Sequence, residues 1–196
     1  SLGLHGSPEK IGEFVVQTGS FDSLSSSLKR NFVGKDWQMG FSSRISTTEN
    51  DRPNSEFESS GGTFSFRKRM KDGLELDFIG SGFASEAELP GPIYSSSNID
   101  YQDSYNYLIS PGLSLKEDDW SIDAHYSYAV DWIDSFSGGI WGTYQTVGKS
   151  IQHQAELIYR RKLFDSLKWK SGFTHLSQKF SMSEDAEIDA LRDSQA

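Results

Sequence analysis

The chain has 196 residues, no cysteine, five tryptophans, eight tyrosines, 13 phenylalanines and a net charge of −9. That length predicts one large domain or part of one, and the absence of cysteine excludes a disulfide framework, thiol catalysis and thiolate zinc sites. The acidic balance, with Lys and Arg dispersed along the chain, argues against nucleic acid as a partner.

No apolar run approaches the roughly 20 residues of a membrane helix. Ser1-Leu2-Gly3-Leu4 has neither the basic start nor the long apolar run of a secretion signal. A bilayer-spanning strand escapes the helix test, because it is apolar on one face only.

Side-chain alternation predicts nine strands, near 11–19, 24–33, 36–48, 59–70, 73–84, 103–116, 119–131, 147–163 and 167–180. In the third, Trp37, Met39, Phe41 and Ile45 oppose Gln38, Gly40, Ser42 and Arg44. In the fifth, Leu74, Leu76, Phe78 and Gly80 oppose Glu75, Asp77, Ile79 and Ser81. Tyr105, Tyr107, Ile109, Leu113 and Leu115 share a face of the sixth. The seventh sets Trp120, Ile122, Ala124, Tyr126, Tyr128 and Val130 against Ser121, Asp123, His125, Ser127 and Ala129. Ile151, Ala155, Leu157, Tyr159 and Leu163 follow in the eighth, and Leu167, Trp169 and Phe173 open the ninth. A short helix is expected over 183–195, with Ile188 and Leu191 on one face and Ser181-x-x-Glu184 as its capping box.

Tight turns containing Asp recur between these strands: Gly34-Lys35-Asp36, Lys71-Asp72-Gly73, Glu117-Asp118-Asp119 and Phe164-Asp165-Ser166. Longer polar segments rich in Pro, Gly, Ser and aromatics alternate with them. Short connections at one end and long ones at the other are the plan of an up-and-down outer-membrane barrel. The expected fold is therefore all-β: an antiparallel up-and-down meander of about nine strands, part of a larger transmembrane β-barrel. Lys29, Arg44, Arg67, Arg69, Glu75, Asp77, Asp123, Glu156 and Arg160 fall out of phase with the apolar stripes, as a wet interior requires. Trp37, Trp120 and Trp169 lie just after short turns, where indoles would form a membrane-interface girdle.

Glu13-Phe14-Val15-Val16-Gln17-Thr18-Gly19-Ser20-Phe21 resembles the first barrel strand of TonB-dependent outer-membrane receptors. Glu88-Leu89-Pro90-Gly91-Pro92, ahead of Tyr105-Asn106-Tyr107, is also similar to that family. The resemblance covers most of the chain from about residue 11. It implies a piece of a 22-stranded barrel: 1–10 as the end of the plug or its linker, 11–180 as a partial barrel, and 181–196 as an extracellular loop or truncated tail. It further implies a place in the bacterial cell outer membrane and import of a siderophore-, cobalamin- or similar-type nutrient. Energy would come from an inner-membrane complex engaging a missing N-terminal region. The partners are outer-membrane lipid and a small-molecule ligand, with no cofactor.

Catalytic signals are weak. Ser121, Asp123 and His125 share a face, but i and i+2 positions on a strand stand nearly 7 Å apart, beyond the reach of a nucleophile–base hydrogen bond of about 3 Å. His153 and His175 fall in phase with apolar positions and do not pair in sequence, so they give only a weak signal for heme or metal, whose sites need several convergent ligands. Glu117-Asp118-Asp119 and Asp131/Asp134 read as solvated acids rather than calcium ligands, and no helix follows Gly61-Gly62 or Gly138-Gly139 to make a phosphate loop. No enzyme activity or metal site is expected. Ligand capture is expected instead from aromatics in or beside the long connections: Tyr94, Tyr101, Trp132, Phe136, Trp141 and Tyr144. A passive porin-like channel, a soluble carbohydrate-binding sandwich and, more distantly, an outer-membrane hydrolase are the competing expectations.

Overall fold

A computed structural model describes residues 12–90, 100–139, 142–164 and 167–187. These form nine strands: β1 Gly12–Thr18, β2 Leu24–Val33, β3 Trp37–Thr48, β4 Phe57–Arg69, β5 Leu74–Glu88, β6 Tyr101–Lys116, β7 Trp120–Gly139, β8 Gly142–Phe164 and β9 Leu167–Glu187. They make one antiparallel sheet in the order β1 to β9, each strand paired with its neighbours in sequence. The all-β meander is thus as the alternation predicts. The sheet is open, since β1 and β9 do not pair.

Two expectations are corrected. The segment read as a long loop between the seventh and eighth strands is a continuation of the ladder, paired from Asp131↔Ser150 out to Gly139↔Gly142. Its side chains keep the two-residue period (Trp132, Asp134, Phe136 against Ser135, Ser137), and pairing satisfies backbone groups that a loop would leave to water. The tail is strand rather than helix as far as Glu187, because Ser181 to Glu187 stay in register with β8; Ile188, Leu191 and the rest of the expected helix lie outside the described residues. Long connections remain at 19–23, 49–56 and 89–100.

The tight turns are built as their sequences require. Asp72 and Gly73 hold positive φ (59° and 71°), a conformation cheap for Gly and tolerated by Asp. Leu74 donates to the Lys71 carbonyl, and Met70 to that of Leu74. Gly34 donates to the Trp37 carbonyl at 2.8 Å and Glu117 to that of Trp120 at 2.9 Å, closing the other two turns whose ends are described.

The hairpins are staggered. Gln38, second in β3, lies opposite Arg67, then Asp77, Gly112 and finally His125 of β7. Glu75, second in β5, leads through Ser114 to Asp123. Ser121 is second in β7 itself. Successive short turns therefore meet β7 at 125, 123 and 121, a displacement of two residues per hairpin.

Residues directly opposite in an antiparallel ladder share a face, so the register sorts the whole sheet. One face carries Phe14, Leu28, Phe41, Phe64, Phe78, Ile109, Leu113, Ala124, Tyr126, Ile151 and Leu157, among others. All nine charged residues expected to oppose the apolar stripes lie on the other face. β9 departs from this rule: Trp169 and Phe173 are on the apolar face, while Leu176, Phe180 and Met182 are on the polar one.

No second layer covers the apolar face among the described residues. Val130, 4 % exposed, is the single hydrophobic residue there that is buried, while Phe14 and Phe173 are 69 % and 66 % exposed. A soluble sandwich packs such a face on a second sheet about 10 Å away.

Gly73 is the turn position least able to accept a side chain, because a Cβ would run into the Lys116 carbonyl as well as strain a φ of 71°. Gly73→Ala should lower stability by about 1–3 kcal/mol, read as a drop in the urea midpoint of the folded chain. An unchanged midpoint would contradict the turn geometry.

Candidate functional site

The polar face carries a charged belt in its short-turn half, assembled from five adjacent strands. On β4 and β5, Arg67 Nε lies 3.3 Å and Arg69 an η nitrogen 3.9 Å from the Glu75 carboxylate. Ser114 of β6 donates to Asp123 of β7 at 2.6 Å, and Asp123 also takes a charged hydrogen bond from Arg160 of β8. Asp123 and Ser114 are buried, so two partners for one carboxylate meet the requirement that a buried charge be paired.

Asp77 of β5 and His125 of β7 reach towards one another across β6, 3.8 Å apart. They are separated in the ladder by Gly112, opposite both. A Cβ on Gly112 would occupy the space their polar atoms use. Glycine at this position is what allows side chains two strands apart to meet.

This geometry gives Asp123 and His125 separate partners. Asp123 is committed to Ser114 and Arg160, and His125 faces Asp77. Among the described residues no group of three His, Asp or Glu side chains is placed to hold a metal ion. On the apolar face, His153 accepts or donates a 2.7 Å hydrogen bond with the Tyr126 hydroxyl and lies 5.0 Å from the Tyr128 ring. The Tyr126 hydroxyl and the His153 Nδ1 thus satisfy one another on a face where apolar side chains predominate.

The aromatics expected to crown one binding mouth divide between faces. Tyr101 stacks on Phe136 with centroids 5.6 Å apart, and Tyr105 meets Trp132 at 5.1 Å, both pairs on the apolar face. Tyr144 lies on the opposite face, across from Ser137. Tyr101, Trp132 and Tyr144 all stand on paired strands rather than in loops. Tyr94 and Trp141 lie outside the described residues. The parity of the ladder prevents Tyr101 and Trp132 from joining Tyr144 in one surface.

Trp37, Trp120 and Trp169 do share a face. Trp37 and Trp120 are the first residues of β3 and β7, and Trp169 lies near the start of β9. With the two-residue stagger per hairpin, all three lie beside the short turns. Each has a basic residue directly opposite: Lys68 for Trp37, and Arg161 for both Trp120 and Trp169.

At the other end the connections are stitched into the sheet. Asn54 donates to the carbonyls of Leu89 and Asp100, and Asp100 accepts from Gly138 N at 2.6 Å and from Ser137. The chain between β3 and β4 is thereby tied to the hairpin of β7 and β8.

The ion pairs and the Trp–cation pairs are invisible to periodicity, which assigns faces but not neighbours. The Glu117-Asp118-Asp119 turn holds the missing signal: once it closes the hairpin, register forces Ser114 opposite Asp123. No protein-family model matches this chain, and no curated protein matches it.

Replacing Asp123 by Ala removes both of its partners' contacts. Because Arg160 is 46 % exposed, solvent screens part of that loss. The expected destabilisation is about 1–2 kcal/mol, measured by urea unfolding, and a loss below about 0.3 kcal/mol would show that the cluster does not hold β6, β7 and β8 together.

Proposed function

We propose that this chain forms part of the wall of an outer-membrane β-barrel, with its apolar face to lipid and its charged belt to a wet interior. The observation that carries this reading is the uncovered apolar face, set against an opposite face that holds all nine charged residues expected to line a wet interior.

Two dimensions support it. A stagger of two residues per two strands, at about 3.3 Å per residue and 4.8 Å per strand, corresponds to strands tilted by about 35° if the turns form a level rim. Barrel strands in membranes tilt by about 35–45°. Along β7, Trp120 and Trp132 are twelve residues apart on the same face, about 40 Å of strand or about 32 Å of height at that tilt. The hydrocarbon core is about 30 Å thick. Between these rows, the apolar-face positions of β6, β7 and β8 hold no Asp, Glu, Lys or Arg.

The resemblance of Glu13–Phe21 to TonB-dependent receptors supports the finer reading: a fragment of an energy-coupled receptor importing a siderophore-, cobalamin- or similar-type nutrient. The staple of connections at Asn54 and Asp100 would then steady the mouth.

Leu113, on the apolar face and 43 % exposed, separates lipid from water as the solvent of that face. Leu113→Arg should cost about 2–4 kcal/mol in vesicles but stay within about 0.5 kcal/mol if the face is wet. Gln154→Arg, on the polar face, serves as the control. A well-folded monomer in detergent-free buffer, indifferent to Leu113→Arg, would overturn the barrel reading.

For import, disruption of the gene in its host should leave growth in rich medium normal and slow it when iron or cobalamin is limiting. Normal growth under every such limitation would overturn the receptor reading.

A further inference from the structure

We propose that the short-turn rim of the apolar face binds the phosphate-bearing headgroups of anionic phospholipids, with Arg161 and Lys68 as the recognising cations. The proposal rests on the membrane reading above and adds a ligand class to it.

The charged residues nearest the two ends of the apolar face differ in kind, although Lys149, opposite Trp132, and Lys179, opposite Ile151, also stand on that face. At the short-turn end it carries Lys68 and Arg161, with Arg30 four residues farther in, opposite Phe41. At the other end it carries Glu58, Glu86, Asp103 and Asp134, which lie directly opposite one another across β4, β5, β6 and β7. Like charges in lateral register repel, so this row marks an end of the sheet that anionic lipid avoids.

The cationic end is arranged differently. Arg161 stands between Trp120 and Trp169 in the same lateral row, and Lys68 stands opposite Trp37. Neither cation has an ion-pair partner among the described residues, whereas Arg67, Arg69 and Arg160 on the polar face are all paired. Indole rings settle at the headgroup level, and a guanidinium fork matches two phosphate oxygens. Arg30 is occupied with the Phe32 ring, 5.0 Å from its centroid, and is left out of the recognising pair.

A lipid, unlike free phosphate, also has a tail to place. Four residues inward of Arg161 along β8, about 13 Å, Leu157 borders a shallow groove of ≈ 450 Å³ on the apolar face. Pro111, Ala124 and Ala155 line it together with Leu113, Leu157 and Phe173. Small residues flanked by large ones leave a channel for an acyl chain whose headgroup rests on Arg161.

The test reconstitutes the chain in phosphatidylcholine vesicles containing trace spin-labelled phosphatidylglycerol or spin-labelled phosphatidylcholine. Electron paramagnetic resonance then reads the protein-associated fraction of each. Phosphatidylglycerol should associate about fivefold more strongly. In the double variant K68Q/R161Q the ratio should fall to near one, with the circular dichroism and protease protection of the inserted protein unchanged. Excess inorganic phosphate in the aqueous phase should leave the wild-type ratio intact.

An inserted wild-type chain with a ratio of one, or a double variant that keeps the preference, overturns the proposal and leaves the barrel reading standing. Loss of the preference in inorganic phosphate assigns the cations to a free anion and also overturns it. A chain that enters no bilayer overturns both.

Discussion

The two-residue period of a strand, locked by antiparallel register, is the constraint on which this sheet depends. A slip of one residue would carry every side chain of a strand to the wrong face. The tight turns prevent that slip: Gly73 fits where a Cβ would strike the Lys116 carbonyl, so the hairpin of β4 and β5 closes in one way. From those fixed points the pairing runs through β7 and β8 with no interruption from Trp120 to Gly139. With that register fixed, the alternation of the sequence places most apolar side chains on one face and the ion-paired charges on the other.

The polar face shows what that ordering makes possible. Asp77, Gly112 and His125 come from three strands and meet only because their positions coincide laterally. Asp123 is buried on a sheet with almost no hydrophobic interior, because Ser114 and Arg160 close over it from either side. Side-chain hydrogen bonds between neighbouring strands, such as Ser42 with Thr63 and Ser110 with Ser127 at 2.8 Å each, extend the same principle. Cohesion here is lateral, from strand to strand, rather than from layer to layer.

Much of this was legible in the amino-acid order. Trp120 to Val130 announces its two faces, and the Asp-bearing turns mark where strands reverse, so strand number and sequence of pairing follow. The outer halves of β7 and β8 were not legible, because Gly138, Gly139 and the serines around Phe136 have the composition of a loop; cross-strand pairing overrides that local preference. The tail misled for a related reason. Ser183 to Glu187 suit a helix start, yet they inherit strand geometry from β8 beside them. Partners across the sheet, such as Arg161 between two tryptophans, need register in addition to alternation.

The unequal rims of the sheet have a consequence of their own. β1 offers seven residues along its outer margin, and β9 offers 21. Within hydrocarbon each amide left without a partner costs several kcal/mol, and on an edge strand about half of the amides point outward. Residence in a bilayer therefore favours completion of the ring of hydrogen bonds beside β9, and copies of the chain joined margin to margin in a vesicle would meet that demand as well as further strands of one barrel.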